Sequence, residues 1–275
     1  MKAIHAGLLS TLLLVLLVGC PMGDTSLNTG GKQDASLERV QKAGVLVWGA
    51  DVVADIPYVY EDPKHPGSYI GFEMEIANAI ARQLGVQVKI VSKAWDTLIP
   101  ELQRRSFDMV MNGIEDTEER QKIVLFSDPY FVYTQQITVR KGTTGVNSLE
   151  DLKGKKVATL SGTAAEDILR DTPGIQVIAS PDNTYAYLDL QEGRVDAVLM
   201  DTPIAAAYVT PNPKLKNVGE HLGEGRYVAA FRMEDKTLRD AVNRVLETLK
   251  KNGELKTIYT KWGIMDHQQE KIGIR

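Results

Sequence analysis

Short apolar runs rich in Val and Ile alternate with helical patterns almost from end to end, and that alternation restricts the chain to an α/β architecture. Ser36 is placed to cap a short helix that stops at Gly44, and Val45-Leu-Val-Trp48 follows as a buried strand. Gly71-Phe-Glu-Met-Glu opens a longer helix with Phe72, Ile76, Ile80 and Leu84 four apart on one face. Its early acids suit the positive end of the helix dipole, and Gly85 stops it. Residues 87–91 read as the next strand, and Asp96 as the N-cap of a helix running to about Arg105. Further strands are expected at 156–160, 176–178 and 197–200, and helices at 163–170, 184–191 and 236–251.

An internal echo bears on how these elements are grouped. Leu102-Gln-Arg-Arg-Ser-Phe-Asp108-Met-Val-Met and Leu190-Gln-Glu-Gly-Arg-Val-Asp196-Ala-Val-Leu each place Leu-Gln and Asp six apart before an apolar strand. Two lobes built on the same helix-to-strand unit would explain it. The β-rich segments 132–139 and 225–231 sit where the chain would cross between the lobes and return. The expected division is a discontinuous first lobe, 36–133 plus 230–275, and a second lobe, 134–229. One continuous sheet with a chance echo is the simpler alternative.

The N-terminus reads as an export signal over residues 1–19. Lys2 precedes an apolar stretch over 7–18 that ends in Leu17-Val-Gly-Cys20. A dozen apolar residues fall short of the roughly 20 that span a hydrocarbon core, which disfavours a membrane-spanning helix. The small residue before Cys20 resembles a bacterial lipobox, in which the cysteine receives lipid and becomes the mature N-terminus. Cys20 is the only cysteine in 275 residues, so no intrachain disulfide can form. More than one acyl chain suffices for stable tethering. Residues 20–35, rich in Gly, Ser, Thr and Asn, read as a flexible leash to a body facing the periplasm or cell exterior.

Composition excludes several classes. The chain is 43% hydrophobic and 25% charged, with a net charge of −4 and no basic run, so it lacks the clustered positive face of a nucleic-acid binder. His5, His65, His221 and His267 are scattered and have no metal-ligand spacing, and no motif calls for a cofactor. There is no Gly-x-Ser-x-Gly elbow and no phosphate-binding glycine loop, so no catalytic residue is assigned.

The densest functional signal runs from Trp95-Asp-Thr-Leu-Ile-Pro through Asp108-Met-Val-Met-Asn-Gly-Ile-Glu to Thr117-Glu-Glu-Arg120 and Phe126-Ser-Asp-Pro-Tyr130. It delivers an aromatic ring, a carboxylate and an arginine to one place, which is the equipment for holding a zwitterion. Together with Gly71-Phe-Glu-Met-Glu-Ile-Ala, Ser161-Gly-Thr163 and Asp196-Ala-Val-Leu-Met-Asp201, this run resembles the polar amino-acid binding proteins of ABC importers, solute-binding protein family 3. The resemblance covers nearly the whole mature chain, in the family's order. It implies a bilobal periplasmic-binding-protein-like fold with two hinge strands, a monomer that closes on an amino acid and presents it to a membrane permease.

The individual residues fit that expectation. Arg120, near the start of a helix capped by Thr117, can pair bidentately with an α-carboxylate, though alone it would read as a solvated surface residue. Thr163 and Ala164 open a helix after a strand, where free backbone N–H groups can take the same carboxylate from the other lobe. Asp201 ends a buried strand and resembles the family's acceptor for the α-ammonium; a plain helix cap before Thr202-Pro203 is the alternative. Trp95 resembles the aromatic that covers the ligand side chain, a position that core packing would fill equally well. Gly113 would offer its carbonyl to the ammonium at close approach. Asp51 would touch the distal end of the ligand, with Asp55 as the alternative if the register shifts.

Glu115 departs from the pattern, standing where many members have a Ser or Thr hydroxyl. A carboxylate there adds a charge that must be balanced, which favours a cationic ligand such as arginine, lysine or ornithine over an acidic one, unless Glu115 points away or is protonated. Two other classes stay open: a cyclohexadienyl-dehydratase-like enzyme on the same fold, with a pocket carboxylate as general acid, and a ligand-sensing receptor module.

Overall fold

The protein is represented by a computed structural model that describes residues 34–53 and 55–275; the export signal, Cys20 and most of the 20–35 leash lie outside the described residues. The first stretch runs α1 (Ser36–Ala43), β1 (Val45–Ala50), a two-stranded ribbon of β2 (Tyr60–Glu61) and β3 (Tyr69–Ile70), α2 (Phe72–Leu84) and β4 (Gln87–Ser92). A 3-10 turn at Trp95–Thr97 leads into α3 (Leu98–Gln103), β5 (Met109–Val110), α4 (Glu118–Gln121) and β6 (Leu125–Phe126). Next come β7 (Phe131–Arg140), β8 (Lys156–Leu160), α5 (Ala164–Arg170), β9 (Gln176–Ser180) and α6 (Asn183–Gln191). β10 (Ala197–Asp201), α7 (Thr202–Val209) and β11 (Leu215–Tyr227) follow, and β12 (Ala230–Phe231), α8 (Lys236–Lys251) and α9 (Glu254–Lys261) close the chain.

The strands form two five-stranded sheets of the same design, ordered β4-β1-β5-β12-β6 and β11-β7-β10-β8-β9. In each, three parallel strands sit at one side and antiparallel strands complete the other. The fold is therefore bilobal α/β, one lobe per sheet. β12 joins the first sheet although the whole second sheet precedes it in the chain.

The lobes are built by amphipathic helices laid on parallel strands. α2 buries Phe72, Ile76 and Ile80 completely, with Leu84 partly buried, and α8 buries Leu238, Val242, Leu246 and Leu249. Each such side chain contributes about 1.5–3 kcal/mol. Gly85 ends α2 in the left-handed conformation at φ 73°, as the sequence pattern requires.

Two capping assignments change. Ser36 is the first helical residue of α1 and does not cap it; its hydroxyl bonds Thr237 at 3.0 Å and accepts the Leu238 N–H at 3.1 Å, so it serves the start of α8 instead. Asp96 lies inside the 3-10 turn and caps nothing, and α3 is shorter than periodicity suggests because Arg105 turns to φ 65°.

The echoed aspartates do the same work in both lobes. Asp108 accepts the Val47 N–H at 3.1 Å while its own N–H donates to Val47 O at 2.8 Å. Asp196 accepts the Lys156 N–H at 2.9 Å and donates to Lys156 O at 2.8 Å. Each clamp locks a strand to its parallel neighbour where the helix delivers it.

The chain passes between the sheets along β7 and β11, which pair antiparallel with Phe131 opposite Tyr227 and Tyr133 opposite Gly225. The Tyr133 ring stacks on Tyr227 at 4.4 Å and 10°, and Phe131 on Tyr227 at 5.7 Å and 14°. Gly225 must lack a side chain, because a Cβ there would stand 2.2 Å from the Tyr133 ring.

Candidate binding cleft

The C-terminal ends of the parallel strands in both lobes meet at one cleft, the edge where α/β sheets receive ligands. From the first lobe, the segments after β1, β4 and β5 supply Asp55 and Tyr58, Trp95, and Asn112, Gly113 and Glu115; from the second, those around β8 and β10 supply Leu160, Thr163, Met200 and Asp201. They close around a small cavity of about 20 Å³.

The residues singled out from the sequence fall as follows. Trp95, Gly113, Glu115, Thr163 and Asp201 line the cavity. The Trp95 indole is pinned by its Nε1 donating to Asn112 O at 2.9 Å, and the Arg120 guanidinium lies over the ring at 5.1 Å. Gly113 adopts φ 60° and donates its N–H to Glu73 at 2.8 Å, and a Cβ there would meet the Tyr58 ring at 3.1 Å. Its bareness thus serves backbone conformation and packing as well as access. Thr163 caps α5, its hydroxyl donating to Leu160 O at 2.8 Å.

Arg120 and Ala164 converge, but on a protein group. Arg120 Nη1 donates to Glu115 Oε2 at 2.9 Å, and the Ala164 N–H donates to Glu115 Oε1 at 2.8 Å. Arg120 Nη1 also reaches Glu115 O at 3.1 Å, while Nη2 crosses to Gly162 O in the other lobe at 3.0 Å. Glu115 is buried and points inward, into the two donors. Arg120 stands behind it and lines an outer groove with Trp95, Ile99 and Ile123, rather than the cavity.

Asp51 accepts the Val53 and Trp95 N–H groups, at 2.9 and 3.2 Å, so its carboxylate shapes the loop. Asp55 is the one that lines the cavity, tied to Asn112 and, across the cleft, to Asn183 at 3.4 Å. Asp201 accepts from Gln135 at 2.6 Å and from the Tyr227 hydroxyl on the crossing strand. It precedes α7 without capping it by side chain.

Sequence reasoning missed Glu73. It read as one of the acids at the start of α2, yet it is fully buried beneath the cavity floor, accepting from Gly113 N–H and from the Tyr130 hydroxyl at 2.5 Å. Its Oε2 has no hydrogen-bond partner among the described residues. Tyr58, whose hydroxyl pairs with that of Tyr227 at 2.7 Å, was missed too. Only its contact with the start of α2, through the Phe72 ring and the Glu73 N–H, brings it to the site.

The electrostatics are lopsided. Asp51, Asp55, Glu73, Glu115 and Asp201 gather at the cleft, and among the described residues Arg120 is the only basic side chain bonded to any of them. Burial, followed by the neighbouring Glu115 charge, lifts Asp201 to about 7, and burial lifts Glu73 to about 7. Burial and the charge of Glu73 hold Asp55 well above the usual carboxylate range. Glu115 is raised by burial, with Arg120 opposing. No group of three or more His, Cys, Asp or Glu side chains among the described residues could hold a metal ion.

Two α/β lobes face each other across a small acidic cleft and are linked by paired crossing strands. Residues 50–265 match the bacterial extracellular solute-binding proteins, family 3, and the chain belongs to that family. It is 33% identical over 229 residues to the L-cystine-binding protein TcyJ of Escherichia coli K12, covering 82% of this chain and 85% of that one. A mutant of ArgBP from T. maritima superposes with a TM-score of 0.79 at 37% identity, covering 84% of this chain and all of that one. The ancestral amino acid-binding protein AncCDT-1, described as a precursor of cyclohexadienyl dehydratase, superposes with a TM-score of 0.78 at 35% identity over 82% of this chain and 99% of that one. No helix among the described residues is long and apolar enough to cross a membrane.

Proposed function

We propose that this protein is the extracytoplasmic receptor of an ABC importer, tethered by lipid on Cys20, and that it closes two lobes, 36–133 plus 230–275 and 134–229, on a polar, cationic amino acid or a close derivative. The observation that carries the reading is the charge imbalance at the cleft, whose wall carries the carboxyl groups of Asp55, Glu115 and Asp201 against the single guanidinium of Arg120 behind Glu115. Stripping water from uncompensated carboxylates is costly, so a cation offsets what the wall alone cannot. Asp201 and Asp55 accept from the cargo's ammonium or guanidinium, and Trp95 covers its stem. The receptor acts as a monomer, has no turnover of its own, and hands its cargo to a permease. The arginine-binding and cystine-binding relatives show that cargo varies within the family, so the wall of this cleft carries the assignment.

Mass spectrometry of the compound that copurifies with the protein, followed by calorimetry with arginine, ornithine, glutamine and glutamate and with their amides, tests the reading. A cationic compound binds tightest. Tightest binding of glutamate overturns it. The second reading, a dehydratase-like enzyme, draws on AncCDT-1 and on the near-neutral Asp201 carboxyl as a proton donor. Product formed from prephenate or arogenate would replace the transport reading.

A further inference from the structure

We propose that the Glu115 side chain stands where an amino acid's α-carboxylate would be held, so that the cleft selects cationic amino compounds whose own carboxylate is absent or masked. The inference rests on the reading of this cleft as the cargo site. A carboxylate bound between the lobes needs donors from both, and the pair that converges from the two lobes is the Arg120 guanidinium and the Ala164 N–H. Both are spent on Glu115, one to each carboxylate oxygen, at 2.9 and 2.8 Å. The second amino group of Arg120 is taken by Gly162 O.

Glu115 is also held in place from behind. Its backbone bridges to Tyr227, its neighbours bond across to the same strand through Asp116 N–H to Arg226 O at 3.0 Å and Val228 N–H to Ile114 O at 2.9 Å, and the residue is 2% exposed. Among the described residues, the rest of the cavity wall offers no cationic side chain to a second carboxylate. The Thr163 hydroxyl donates to Leu160 O, the Tyr58 hydroxyl pairs with Tyr227, and the Asn112 amide is bonded to Asp55. What remains facing the space is the acceptors Asp201 and Asp55. A free amino acid would bring its carboxylate against Glu115 and these two, with no uncommitted cationic side chain to receive it. An alkyl guanidine, a diamine or an amino-acid amide brings only what the wall accepts.

Arginine, argininamide and agmatine form a matched series in which only the carboxylate changes. Calorimetry on the full-length protein is expected to show argininamide and agmatine binding at least tenfold tighter than arginine. In Glu115→Thr, which frees Arg120 and Ala164, the order reverses; in the near-isosteric Glu115→Gln the preference shrinks, and thermal unfolding verifies that both variants fold. Arginine binding tighter than agmatine to the unaltered protein, or an unchanged preference in Glu115→Thr, overturns the role of Glu115 and leaves the cationic cargo site standing. Failure of all three compounds, and of lysine and ornithine, to bind the unaltered protein overturns both.

Discussion

The pairing of Glu115 with Arg120 is where single residues decide most. Both are largely sequestered, with side chains 2% and 16% exposed, so removing one partner leaves a charge with no compensation. Arg120→Ala is expected to lower the unfolding free energy by about 3–5 kcal/mol at pH 8. The loss should shrink towards pH 5, because an orphaned buried carboxyl takes up a proton more readily than the same group in the unfolded chain. Urea titrations at the two pH values check this, and equal losses at both would remove the ion pair from the account. The sequence marked Arg120 and Ala164 as donors and Glu115 as a departure, but the direction of the Glu115 side chain was not legible. It depends on two loops 49 residues apart meeting across the cleft. Glu73 was hidden for a related reason: its position in α2 has an ordinary helix-start reading, and only contact with Gly113 and Tyr130 gives it another.

Among elements, β1, β8, β10 and α8 were legible because burial writes a strong apolar pattern, and α8 occupies the 236–251 span read from periodicity; β2, β3 and β6 were not anticipated, and the returning crossing strand runs over Leu215–Tyr227 rather than 225–231. α7 and α9 were not anticipated. α7 is apolar all round, with no stripe to read, and starts on Thr202-Pro203 directly from β10. The echoed Asp108 and Asp196 are legible as sequence and acquire their meaning as clamps between parallel strands. Asp196→Ala removes a carboxylate acceptor from the Lys156 N–H at the exposed end of β8, and a cost of about 1–2 kcal/mol is expected, with faster amide hydrogen exchange at Lys156 and little change in the first sheet. Exchange that rises equally in both sheets would show that the clamp is not local.

At the scale of the molecule, the acids of the cleft link cargo, protons and stability. Carboxyl groups raised from near 4 to about 7, as at Asp201 and Glu73, leave the folded chain holding more protons than the unfolded one across that window. Their contribution is therefore present at about pH 4 and is lost as the pH rises through 7. A bound cation acts in the opposite sense by favouring the ionised form. With one such group titrating, affinity for a cation should rise about tenfold between pH 6 and pH 8, with proton release that makes the binding heat depend on the buffer. Affinity that is flat over this range would place Asp201 outside the cargo's reach. The bonds from Arg120 to Gly162 and from Ala164 to Glu115 cross between lobes next to Trp95, whose ring also packs near Gly162 of the opposite lobe. The chain has three indoles: Trp48 is sealed in the core, Trp262 bonds Glu75 at the periphery, and Trp95 alone straddles the seam under a guanidinium. Parting of the lobes would break the Arg120 bond to Gly162, draw Gly162 away from the indole and admit water to one chromophore of the three, so the protein carries its own optical gauge of opening, readable from the colour and intensity of its ultraviolet emission without any attached dye.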